Sequence, residues 1–194
     1  ATLIGAANTL TFKDDGRIFA DNTDGYGFMA NLRQGAPDWD PKAGPAAIFG
    51  AGGAARAIIV ALADAGVPEI IIANRTRPKA EALRADFGAR VSVVDWVQAD
   101  KMLEDANTVI NTTSLGMEGA QDFKVSLDSL RPQAVVTDIV YKPLRTPFLD
   151  AAAAKGCTTV DGLGMLLHQG VPGFERWFGP RPEVDDATRA AVLA

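Results

Sequence analysis

Gly50-Ala51-Gly52-Gly53-Ala54-Ala55 carries glycine, glycine and alanine at the spacing G-x-G-x-x-A. Such a loop can hold a pyrophosphate. Gly50 permits a tight turn, Gly52 lets the backbone come close, and Ala55 lets the following helix pack tightly on the preceding strand. The N-terminus of that helix adds free N–H groups and a positive dipole end. Gly50, Ala51, Gly52, Gly53 and Ala54 are therefore the candidate dinucleotide cradle. A glycine-rich turn without a ligand is the alternative, and the strand before and helix after the motif weigh against it. An NAD site places Asp or Glu about 20 residues further on, to bond the ribose 2′-hydroxyl. Here that place reads Asn74-Arg75-Thr76-Arg77, with Lys79 close behind and no acid. Arg75 can stack on or pair with a 2′-phosphate, and Asn74 and Thr76 can donate hydrogen bonds. The loop selects NADP over NAD, although an Arg cluster is otherwise most often a solvated surface.

Three further stretches could touch a substrate. Asn8-Thr9 and Asn22-Thr23-Asp24 are polar clusters flanking an apparent hairpin, and Gly162 to Gln169 leads into a helix. Asn and Thr at strand ends are usually turn formers, Asp24 alone reads as a helix N-cap, and Gln169 alone reads as a surface residue. His168 is the only histidine and Cys157 the only cysteine. They form no cluster with ligand spacing, so no metal is expected.

These residues need a scaffold, and the hydrophobic pattern supplies one. An extended segment over 2–12 ends at the turn signal Asp14-Asp15-Gly16, and 17–20 returns as the second strand of a hairpin. A helix runs from Asp24 to about Leu32, followed by a Gly/Pro/Asp-rich linker over 35–45. From Ala46 the pattern becomes strand, helix, strand. Short strands stand at 46–49, 70–73, 91–94, 108–110, 134–137 and 158–160, and Ile70-Ile71-Ile72-Ala73 shows no alternation, as in a parallel strand covered on both faces. Helices are expected near 54–65, 78–86, 96–105, 146–154, 163–178 and 185–193. The fold class is therefore α/β, with a Rossmann-type doubly wound parallel sheet and, at both ends, flanks too short to fold alone that suggest parts of a second lobe.

Composition narrows the function classes. The 194 residues are 47% hydrophobic with a net charge of -5, which excludes wholesale disorder and argues against nucleic acid as a partner. No apolar run reaches the roughly 18 residues of a membrane helix. One cysteine allows no internal disulfide, which fits a cytoplasmic home.

In order along the chain, GAANTL (5–10), DNTDGYGF (21–28), GAGGAARA (50–57), NRT (74–76), NTTSLGM (111–117), DIVYKPLRTPFL (138–149) and DGLGMLLHQG (161–170) resemble the shikimate dehydrogenase family. Each motif is modest alone, but the ordered set is specific and covers almost the whole chain. The resemblance implies an NADP-dependent oxidoreductase that interconverts 3-dehydroshikimate and shikimate by direct hydride transfer, in the pathway to chorismate and the aromatic amino acids. It also implies roles by position. Asn8, Thr23, Asp24, Tyr141 and Gln169 stand on the substrate side, with Asp24 as the catalytic carboxylate that pairs with a proton-transferring lysine. Gly50 to Ala54 form the pyrophosphate loop and Asn74 to Lys79 the 2′-phosphate loop. Ile139 and Gly162 lie beside the nicotinamide. The division it implies is 1–23 and 162–194 to an α/β substrate-binding lobe and 24–161 to the NADP domain, with a homodimer allowed but not specified.

In this family the lysine that partners Asp24 lies upstream of the GAxNT stretch, and this sequence begins just before it. The expectation is a C-terminal portion of a two-lobed enzyme, with little turnover alone. A quinate/shikimate dehydrogenase of relaxed choice and a non-catalytic NADP-binding regulatory module are the competing expectations.

Overall fold

In the computed structural model, which describes residues 1–194, the first five residues form a turn closed by the Gly5 N–H donating to the Ala1 carbonyl at 2.8 Å. The extended segment is therefore shorter than its sequence pattern: β1 is Thr9–Phe12 and pairs antiparallel with β2, Ile18–Asp21. The two strands form a sheet of their own, and its large apolar side chains stay open, with Phe12 73% and Ile18 60% exposed.

Next comes α1, Asp24–Gly35, which buries Phe28, Met29 and Leu32. Asp24 is its first helical residue, and Thr23 precedes it without a side-chain cap bond. Asn22 Oδ1 accepts from the Asp24 N–H at 3.0 Å. The cap expected of Asp24 is thus supplied two residues earlier, which leaves the Asp24 carboxylate free for other partners.

Six parallel strands follow. They are β3 (Ala46–Phe49), β4 (Ile70–Ala73), β5 (Val91–Val94), β6 (Thr108–Asn111), β7 (Val135–Asp138) and β8 (Thr158–Val160). The helices between and after them are α2 (Gly53–Ala65), α3 (Arg77–Phe87), α4 (Pro147–Ala154), α5 (Leu163–Phe178) and α6 (Asp186–Leu193). The order across the sheet is β5-β4-β3-β6-β7-β8, all parallel. This is the doubly wound arrangement, whose direction of winding reverses between β3 and β6. One apolar cluster, with Ile48, Ile58, Leu62 and Ile72, fills one side of the sheet. A second, with Phe49, Leu103, Val109, Phe148 and Leu149, fills the other. Gly66 ends α2 at φ 95, where a side chain would be strained.

Two segments depart from the pattern. The helix expected near 96–105 is two short 3-10 turns, Trp96–Gln98 and Lys101–Leu103. A stretch this short cannot nucleate an α-helix on its own, and it is held instead by burial of Ala99, Met102 and Leu103. Between β6 and β7 the chain crosses over without a helix. Leu127 and Leu130 belong to the second core, and Phe123 and Val125 pack against it.

Candidate active site and cofactor cradle

Ligands of a doubly wound sheet bind outside the carboxyl ends of the strands, at the point where the winding reverses. Here that point lies between Gly50, which follows β3, and Thr112, which follows β6. Gly50 has φ +112, and a Cβ there would fall 2.5 Å from Thr112 Oγ1. Only glycine lets the chain turn at this place. The Thr112 hydroxyl in turn donates to the Phe49 carbonyl at 2.8 Å, tying the two strand ends together.

Beyond the turn the backbone is open. A Cβ added at Gly52 or Gly53 would meet nothing within 4 Å. No side chain caps α2, and the first N–H groups of a helix have no partner inside it. The free space and free donors fit a pyrophosphate. A cavity of about 260 Å³ lies there, lined by Gly50, Ala51, Gly52, Asn74, Arg75, Thr76 and Lys79, with Trp96 and Thr112–Leu115. Gly53 and Ala54 open the helix next to it.

The basic loop is divided by the structure. Arg75 and Lys79 line the cradle, and Asn74 Nδ2 donates to the Thr76 carbonyl at 2.8 Å, shaping the loop. Arg75 Nη1 donates to Gln121 Oε1 at 2.9 Å, so the crossover loop orients its guanidinium. Arg77, expected to share the 2′-phosphate, is turned to Asp95 at 2.6 Å and Glu81 at 2.8 Å. It is absent from the cavity lining. Two carboxylates thus hold the Arg77 guanidinium, whereas Arg75 and Lys79 line the cavity.

The substrate-side residues form one hydrogen-bonded cluster. Asn8 Nδ2 donates to Asp24 Oδ1 at 2.9 Å and to Gln169 Oε1 at 3.2 Å. Asn8 Oδ1 accepts from the Thr23 N–H at 3.0 Å, from Thr23 Oγ1 at 3.1 Å and from Thr9 Oγ1 at 3.0 Å. The entry to β1, the start of α1 and the middle of α5 thus meet at one amide. Their meeting depends on Gly27. A Cβ at Gly27 would lie 2.7 Å from both the Cβ and N of Gln169, so α1 and α5 can approach this closely only without a side chain there. At the far end of α5, the Trp177 indole donates to the Leu10 carbonyl at 2.9 Å and Arg176 pairs with Asp21.

Tyr141 and Ile139 stand apart from that cluster. They line a cavity of about 710 Å³ with Thr112, Thr113, Ser114, Val140 and Lys142. Gly162 borders the same strand exit, because a side chain there would collide with the Ile139 and Val140 carbonyls. From Gly162, α5 runs two turns to Gln169, about 10 Å. One helix thus connects the cofactor side to the substrate side. His168 Nε2 lies 2.9 Å from Gln34 Oε1. Burial, with a smaller contribution from Arg189, lowers its pKa. No group of three or more His, Cys, Asp or Glu side chains could hold a metal, and no helix is long and apolar enough to cross a membrane.

One group escaped the sequence reading. Asp138, at the end of β7, is fully buried, and burial pushes its carboxyl up to about 6. It accepts from Asn111 Nδ2 at 3.0 Å, from the Val140 N–H at 3.0 Å and from Thr146 Oγ1 at 2.8 Å. The signal was present: a lone acid ends a buried apolar strand, and in register it faces an Asn that ends the neighbouring one.

Comparison with known proteins gives a consistent result. The family model described as shikimate / quinate 5-dehydrogenase matches residues 39–130, and the model of the shikimate 5′-dehydrogenase C-terminal domain matches 162–193. The chain is 70% identical over 194 residues to the shikimate dehydrogenase (NADP(+)) of Cereibacter sphaeroides strain ATCC 17025, covering all of this chain and 70% of the relative. Among solved structures, quinate dehydrogenase from Corynebacterium glutamicum in complex with NAD matches with TM-score 0.90 and 32% identity, over 100% of this chain and 69% of that one. Shikimate 5-dehydrogenase from Thermus thermophilus in complex with NADP(H) and shikimate matches with TM-score 0.81 and 37% identity, over 94% and 66%. With a cradle at the winding reversal and this degree of identity over its whole length, the chain belongs to the shikimate dehydrogenase family.

Proposed function

We propose that the protein catalyses the NADP-dependent, reversible reduction of 3-dehydroshikimate to shikimate, an oxidoreduction at a CH–OH group. One observation carries the proposal: the Asn8–Asp24–Gln169 cluster is joined through α5 to the strand exit beside the cofactor cradle. Bound NADP supplies the hydride acceptor or donor at its nicotinamide. The chain's own residues orient the reactants. Gly50 to Ala54 receive the pyrophosphate on free backbone N–H groups, and Asn74, Arg75, Thr76 and Lys79 receive the 2′-phosphate. Ile139 and Gly162 wall the nicotinamide side. Asn8, Thr23, Asp24, Tyr141 and Gln169 meet the substrate, with Asp24 as the acid whose charge tunes a proton-transferring partner. Residues 24–161 form the NADP unit, and 1–23 with 162–194 form the substrate side.

The second reading is a quinate/shikimate dehydrogenase, favoured by the likeness to the Corynebacterium enzyme with NAD. The tip of β4 argues against NAD as the partner, because Asn74-Arg75-Thr76 contains no acid to bond a free 2′-hydroxyl. A homodimer would cover apolar side chains such as Phe12 and Ile18, and sedimentation velocity decides it. A cytoplasmic home is supported by the single cysteine. Calorimetric titration with NADP+, NAD+, shikimate and quinate tests the assignment. Tighter binding of NADP+ and of shikimate supports it, and equal binding of both cofactors contradicts it.

A further inference from the structure

Two loops wall the 710 Å³ cavity beside the cradle, the one after β6 with residues 112–114 and 117–119 and the one after β7 with residues 139–142. Each is held from beneath by one buried side chain. Asn111 Oδ1 accepts from the Thr113 N–H at 3.0 Å and from Thr113 Oγ1 at 2.7 Å, and Asn111 Nδ2 donates to the Leu115 carbonyl at 3.1 Å. Asp138 accepts from the Val140 N–H inside the second loop and from Thr146 Oγ1 where that loop ends. The hydrogen bond from Asn111 Nδ2 to Asp138 Oδ1, at 3.0 Å, joins the two supports.

Nothing about core packing calls for this carboxylate. Asp138 is fully buried, its partners are neutral groups of Asn111, Val140 and Thr146, and no cation contacts it. An apolar residue there would avoid the cost of burying a charge. What the acid adds is geometry: three donors converge on its two oxygens, so its position sets Val140, Thr146 and Asn111 relative to one another. We infer that Asp138 is a positioning residue of the nicotinamide-side cavity, coupling the 112–114 and 139–142 walls through Asn111. The inference rests on the cofactor reading above.

Asparagine is nearly isosteric, but only one of its two terminal atoms accepts. With its oxygen kept toward Asn111 and Val140, its amide faces the Thr146 hydroxyl, which then has no acceptor. Thr146→Val removes the same bond from the other side and leaves the buried acid in place. The wall between Val140 and Thr146 loosens in both variants, while the loop over Asn74–Lys79 is untouched.

The test compares two probes on the native protein, Asp138→Asn and Thr146→Val, with thermal unfolding recorded alongside. NADPH reaches both ends of the site, and 2′,5′-ADP reaches only the adenosine and phosphate end. The expected result is an NADPH affinity lowered about tenfold in both variants. The fluorescence of the bound nicotinamide changes with it, and 2′,5′-ADP affinity stays within about twofold. Equal losses for both probes would mean a general structural role and would overturn the inference, as would unchanged NADPH binding in both folded variants. Failure of the native protein to bind either probe would overturn the cofactor reading, and this inference with it.

Discussion

Asn8 donates from Nδ2 to Asp24 Oδ1 at 2.9 Å, joining the entry to β1 with the first turn of α1. The same amide nitrogen reaches Gln169 on α5. With both of its side-chain polar atoms engaged, Asn8 organises the cluster. Asn8→Ala should weaken shikimate binding about tenfold, and the broken hydrogen bonds should cost ~1–2 kcal/mol of stability. Calorimetry and denaturant unfolding measure the two effects. Unchanged shikimate affinity would remove Asn8 from the site.

The Arg75 and Arg77 guanidinium groups have different partners in the structure. Arg75 lines the cradle and is oriented by Gln121, whereas Arg77 is held by Asp95 and Glu81. Arg75→Ala should lower the preference for NADP+ over NAD+ about tenfold or more, the worth of one charge-assisted phosphate contact. Arg77→Ala should leave that preference within about twofold, since it breaks only exposed ion pairs. Paired titrations with the two cofactors read the ratio directly. A larger effect at Arg77 than at Arg75 would reverse the assignment.

Gly50→Ala places a Cβ against Thr112 at a backbone angle that L-residues rarely adopt. About 2 kcal/mol of stability should be lost, together with most NADP+ binding. Gly52→Ala meets no protein atom. It should therefore leave unfolding nearly unchanged while weakening NADP+ binding, because the added methyl occupies the space kept for the pyrophosphate. Thermal shift with and without NADP+ separates the two outcomes.

Burial of Asp138 has a consequence for stability against pH. Its carboxyl is raised from the ordinary 3.8 to about 6, so the folded chain keeps a proton that the unfolded chain has already released. That contribution to stability is fully present below the ordinary value and is lost as pH rises through about 6. Asp138→Asn does not titrate. Across this interval the native protein should lose stability relative to the variant by up to about 1.4 kcal/mol per pH unit. Urea denaturation at stepped pH measures it, and a constant difference between the two proteins would contradict the buried carboxyl.

The centre of the sheet was legible because strands such as Ala46–Phe49 and Ile70–Ala73 are short apolar runs without alternation, the pattern of burial on both faces. The G-x-G-x-x-A turn was legible because its chemistry is local. Long-range partnerships were not. Nothing local distinguishes Arg75 from Arg77; Asp95 and Glu81 do so only once α3 and the tip of β5 are in place. The need for glycine at position 27 comes from α5, far along the chain, and the Asp138 network exists only because β6 and β7 lie side by side. Residues 96–105 read as a helix from composition, yet tertiary burial of Met102 and Leu103 leaves two 3-10 turns.

The most direct test is an initial-rate assay of the full-length protein with shikimate, comparing NADP+ with NAD+ and native with Asp24→Asn. The account predicts NADPH and 3-dehydroshikimate formed in equal amounts, a clear preference for NADP+, and a rate lowered at least tenfold by Asp24→Asn, within the range of general acid–base contributions. Absence of shikimate-dependent NADPH formation, or a rate indifferent to the Asp24 substitution, would contradict it.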